Sequence, residues 1–147
     1  MLIVPAAMMF LSNAQLGLPA LLAIVPMCAL LVAGATYLRA KYQQLNRGLP
    51  IDHALLGLAA AQIPLLAGVL IALATMAWVW LYPIRVGTLA ERWTVTVAAL
   101  MAALEYVNYY HRQLQHFDNV NDWKRLLRGK GFRKSPLRRD LERAGLR

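Results

Sequence analysis

The chain has 147 residues, 59% of them hydrophobic and only 16% charged, with a net charge of +9 and a mean hydropathy of +0.45. A soluble domain of this length spreads charges, roughly a quarter of its residues, over its surface, yet no charge falls from Leu2 to Leu38, from His53 to Ile84 or from Trp93 to Leu104. Those runs argue against a single core in water, and the lone Cys28 excludes an intrachain disulfide and a thiolate zinc site.

Residues 1–17 form an apolar segment in which Met1 to Leu11 would be about 16 Å long as a helix, too short for a hydrocarbon core of about 30 Å. An interfacial or re-entrant helix is the expectation here. A short extra span, or a signal peptide cleaved near Ser12 and Ala14, is the alternative, although a signal peptide lacks its positive start.

The first span is predicted over Leu18 to Leu38, with Pro26 inside it, and Arg39, Lys41 and Arg47 follow at once. Asn46, Arg47 and Gly48 read as the helix stop. The second helix is predicted to begin at Asp52, as N-cap after Pro50, and to run to Tyr82 before Pro83. Its apolar stretch exceeds a perpendicular crossing, so it must tilt or bend at Pro64. Trp78, Trp80 and Tyr82 gather at its far end, where amphipathic rings favour the interface. The third helix opens on the capping box Thr88, Leu89, Ala90, Glu91. It is expected to leave the membrane near Tyr110 and to continue by a turn or more.

Eleven of the 16 basic residues lie between Arg112 and Arg147. Counting basic residues in the short flanks therefore puts the C-terminus in the cytosol and the N-terminus outside. The tail divides into two amphipathic pieces. Val120, Trp123, Leu126 and Leu127 line the first, and a Gly-Lys-Gly-Phe turn, Gly129 to Phe132, separates it from the second. There Ser135 is the expected cap, Pro136 takes the first helical position, and Leu137, Leu141 and Ala144 share a side.

The fold class expected is thus all-α: a polytopic membrane bundle of three transmembrane helices, with a short N-terminal apolar helix and a basic amphipathic cytosolic tail. The divisions are 1–17, 18–110 and 111–147. The Arg-over-Lys bias and short loops suggest a bacterial inner membrane.

Polar groups within the bilayer need a partner or a watery cavity. Gln62, Glu105 and Asn108 are the ones this topology buries, and Glu105, Asn108 and Arg112, spaced i, i+3, i+7, are expected to share a helix face. His53 and His111 belong at the same membrane surface, so Glu105, Asn108, His111 and His53 are the candidate catalytic groups of an interfacial enzyme. Their spacing matches no metal motif, and no histidine lies in an apolar run as a haem ligand must. No metal and no cofactor is expected.

The tail's Lys124, Arg125, Arg128, Lys130, Arg133, Lys134, Arg138 and Arg139, with Trp123, are the candidate lipid- or partner-binding residues. Each cation near an anionic leaflet contributes about 1 kcal/mol. Anionic membrane lipids are therefore the expected partners, then a protein partner or a second copy of the chain; nucleic acid is disfavoured because no recognition motif is present. Three readings follow: a non-enzymatic accessory, anchor or scaffold subunit; a small enzyme acting at the cytosolic interface through Glu105 with His53 and His111; and an oligomeric transporter or channel subunit with Gln62 and Glu105 on a polar path.

Overall fold

The computed structural model describes residues 17–82, 88–112 and 134–146. Among them every regular element is an α-helix: α1 (Leu18–Arg47), α2 (Asp52–Leu81), α3 (Leu89–Tyr110) and α4 (Pro136–Arg143). The N-terminal segment and the first amphipathic piece of the tail lie outside the described residues.

Local signals explain most of the helix ends. α1 starts with Leu21 N–H donating to the Gly17 carbonyl and stops where Gly48, at φ 65°, donates to Gln44. A left-handed residue closing the last turn in this way suits glycine, which has no Cβ to clash. α2 begins one residue earlier in role than expected: the Ile51 carbonyl accepts from Leu55, so Ile51 is the cap and Asp52 is the first helical residue. An aspartate there still complements the positive end of the helix dipole. In α3 the Thr88 hydroxyl accepts from Glu91 N–H at 3.3 Å, which is the threonine half of the capping box. α1 and α2 each run unbroken past an internal proline, Pro26 and Pro64.

The end of α3 corrects the expectation that this helix continues beyond Tyr110. Both His111 and Arg112 N–H donate to the one carbonyl of Val107, and Arg112 then pairs in an isolated antiparallel bridge with Lys134. The returning tail supplies partners for the open carbonyls: Ser135 N–H donates to His111 and the Ser135 hydroxyl to Tyr109. Arg112 consequently stands outside the helix, and only Glu105 and Asn108 remain on the predicted face.

α1 and α2 are each long and apolar enough to cross a membrane. Only 28% and 17% of their most apolar 18-residue windows is buried in the protein. Ile63, for example, is 78% exposed and Leu70 57%. Leaving side chains of this size uncovered forfeits about 1.5–3 kcal/mol each in water, and nothing in lipid.

The chain packs as two compact units. One comprises residues up to Leu31 and Ile63–Ala103. Its core is built from small residues, with Ala20, Ala23, Ala72, Ala98, Ala99 and Ala102 all buried, so backbones approach closely. α2 meets Pro26 closely at Gly68, where a Cβ would lie a tight 3.2 Å from Pro26 Cβ. Trp80 stacks edge-on against Trp93 at 5.5 Å and donates its indole N–H to Thr96 at 2.9 Å. Buried Glu91 turns its carboxylate to Gly17.

The second unit comprises Val32–Gln62 with Leu104 onward. Here Gly34 is the close approach, since the Tyr109 phenol occupies the space a side chain would need. The buried Tyr110 hydroxyl donates to the Leu58 carbonyl at 2.9 Å, which ties α3 to α2.

Candidate functional site

Within this second unit α4 folds back onto α1 and onto the end of α3. Its formation is local: Ser135 caps by accepting from Arg138 N–H at 3.1 Å, and Pro136 supplies a preset first turn. Its apolar side is then buried through Leu137 and Leu141, while Ala144, expected on the same side, is exposed beyond the last turn.

The polar contact that holds α4 was not legible in the sequence. Asp140 is buried, and its Oδ2 accepts from both the Tyr37 hydroxyl and the Lys41 ammonium, each at 2.8 Å. Burial alone raises the Asp140 pKa, but the hydrogen bonds from Lys41 and Tyr37 outweigh it and hold the carboxyl below the usual aspartate range. Arg143 adds a longer contact to Oδ1 at 3.9 Å.

A second set of charges lies on the other side of α4. Glu142 accepts from Lys134 at 2.9 Å and from Arg138 Nε at 3.1 Å. These hydrogen bonds lower the Glu142 pKa, with Lys134 first. Arg138 also places Nη1 3.2 Å from His111 Nδ1. The His111 ring also lies 5.6 Å from that of Tyr106.

A cavity of about 160 Å³ opens where these elements meet, lined by Tyr37 and Leu38 of α1, Asn108 and Tyr109 of α3, and Ser135, Pro136 and Leu137. Of the four candidate catalytic residues only Asn108 lines it. Glu105 is 5% exposed; its carboxylate accepts from the Tyr109 hydroxyl, while Oε2 has no hydrogen-bond partner among the described residues. His111 sits just past α3 on Arg138, and His53 is exposed at the start of α2. Gln62 is half-buried. Among the described residues no three His, Cys, Asp or Glu side chains gather as metal ligands.

Of the basic candidates, Lys134 and Arg138 are committed to Glu142, whereas Arg139 is exposed. Trp123, Lys124, Arg125, Arg128, Lys130 and Arg133 lie outside the described residues. Arg143 and Arg39, outside that candidate set, are also exposed.

The site is therefore a docking arrangement, in which a short helix is held by one buried carboxylate and two leucines, with a small, mostly apolar cavity beneath its start. Comparison with protein-family models, with curated proteins and with solved structures finds no match for this chain.

Proposed function

We propose that this chain is a small integral membrane protein with three spans, its N-terminus outside and its C-terminus cytosolic, that serves as a non-enzymatic anchor or accessory subunit at a bacterial inner membrane. Its basic C-terminal region lies on the inner leaflet and binds anionic headgroups. The uncovered apolar surfaces of α1 and α2 support the membrane assignment. The third span would be α3, whose 22 residues reach about 33 Å. Its polar residues Glu105, Asn108 and Thr94 keep it below the apolarity of the other two.

The observation that carries the functional reading is the docking of α4. A tail helix whose apolar face is already buried in its own protein, and whose arginines Arg139 and Arg143 face outward, is suited to presenting charge rather than to housing a reaction. The cavity beside it is smaller than the roughly 300–1,000 Å³ of pockets that enclose a whole small molecule. Neither Glu105, His53 nor His111 lines it, and it is linked to Glu105 through the Tyr109 hydroxyl.

Trypsin digestion of the full chain in nanodiscs tests this. Phosphatidylglycerol discs should shield the tail relative to phosphatidylcholine discs at about 50 mM salt, and the difference should fade at high salt as screening shortens. Equal cleavage in both discs at low salt refutes the reading. An oligomeric conduit is the second reading, favoured by the unpartnered Glu105 Oε2; it requires ion flux in proteoliposomes that Glu105→Gln changes.

A further inference from the structure

On α1 the apolar run ends between Leu38 and Arg39. Tyr37 and Leu38, the last residues before that step, line the cavity. On α3 the lining residues Asn108 and Tyr109 follow Leu104 and Val107, where the apolar run of that helix also gives out. Two independent helices thus place the cavity at the level where, in the proposed arrangement, acyl chains meet headgroups.

The lining has the matching mixed character. Leu38, Pro136 and Leu137 are apolar, and Tyr37, Asn108 and Ser135 bring polar atoms. Leu38 is 65% exposed, so the lining continues onto the outer surface of α1 and an occupant can enter sideways from the bilayer. At about 160 Å³ the cavity takes a segment of a molecule, with the remainder outside.

Charge at the rim supplies the remaining requirement. Lys41 and Arg143 are engaged by Asp140. Arg39, which follows Leu38 on α1, and Arg139, two residues after Leu137 on α4, are exposed and make no ion pair among the described residues. Two guanidiniums without an ion pair, on the two helices that supply Leu38 and Leu137 to a mostly apolar cavity, complement a phosphodiester carrying an acyl chain.

We propose that this cavity binds one anionic glycerophospholipid, with the ester region and the top of an acyl chain between Leu38 and Leu137 and the phosphate on Arg139 and Arg39. The proposal rests on the membrane reading above and assigns its lipid contact to a defined site.

Native mass spectrometry of the full chain in mild detergent, titrated with phosphatidylglycerol or phosphatidylcholine, tests it. A single phosphatidylglycerol adduct should form at least tenfold more tightly than the phosphatidylcholine one. Arg139→Glu should weaken it at least tenfold, and Leu38→Trp, a bulkier residue at an exposed position, should do the same by filling the mouth. Arg47→Glu, a charge reversal at the end of α1, should leave it unchanged, and glycerol 3-phosphate should not compete. Retention unaffected by both Arg139→Glu and Leu38→Trp overturns the site. If that retention is instead lost on reversing Lys124, Arg125, Arg128, Lys130 and Arg133, the tail still binds lipid and only the cavity assignment fails. No preference for the anionic lipid in any form overturns both, and competition by glycerol 3-phosphate overturns the lipid as occupant.

Discussion

Replacing Asp140 by asparagine should loosen α4 selectively. The carboxylate holds Tyr37 and Lys41 through one oxygen at 2.8 Å each. A hydrogen bond to a charged group contributes about 1.5–3 kcal/mol. The amide keeps a neutral bond to Tyr37 and loses the ion pair with Lys41, whose side chain is one-third exposed, so solvent screens part of that loss. The net cost is about 1–2 kcal/mol, a roughly five- to thirtyfold increase in opening of the helix. Hydrogen exchange of the full chain in detergent reads this directly. Amides from Arg139 to Gly145 should exchange faster by that factor while those of α2 are unchanged. Lys41→Gln should have a similar effect, and the double variant should cost less than the sum, because both remove one contact. Equal exchange in wild type and Asp140→Asn would refute the latch.

The pH dependence of that difference has a fixed sign. Because docking lowers the Asp140 pKa, its contribution is fully present above the ordinary aspartate value of 3.8 and is lost as pH falls through the lower, docked value. Wild type and Asp140→Asn should therefore differ at pH 7 and at pH 5, and converge only in strong acid; convergence already at pH 5 would contradict the hydrogen-bonded carboxylate. Ser135→Ala removes the cap of α4 and the bond to Tyr109, and should add about 1 kcal/mol of opening by the same exchange measurement. Gly34→Val should drive the Tyr109 phenol from its place and destabilise the chain by about 1–3 kcal/mol in thermal unfolding. Glu105→Gln should stay within about 1 kcal/mol of wild type in the same assay, since the amide keeps an oxygen to accept from the Tyr109 hydroxyl and Oε2 has no partner to lose.

What the sequence made legible was local. Gly48, the Thr88 capping box and the Ser135-Pro136 start each act within one helical turn, and each helix end they mark is where the structure places it. The length and apolarity of α1 and α2 were readable for the same reason, since composition along a segment needs no knowledge of its neighbours. The docking of α4 was not readable. Tyr37 and Lys41 stand 103 and 99 residues from Asp140, and Tyr110 reaches Leu58 across 52. A lone aspartate among arginines reads from sequence as part of a solvated face, and only packing shows it buried. The early end of α3 has the same cause. Nothing within Glu105 to Leu114 stops a helix; Ser135 does so by supplying partners for the carbonyls of Tyr109 and His111. The cavity depends on that fold-back as well, because three of its seven lining residues belong to the returning segment.

The most direct test of the three-span account is sidedness. In a Cys28→Ala background, single cysteines at Leu49, Arg85 and Ala144 would be probed with a membrane-impermeant maleimide in intact spheroplasts and in inverted vesicles. The account predicts Arg85→Cys labelled only in spheroplasts, and Leu49→Cys and Ala144→Cys, both at exposed positions, only in inverted vesicles. Labelling of all three from one side, or recovery of the protein in the soluble fraction, would contradict it.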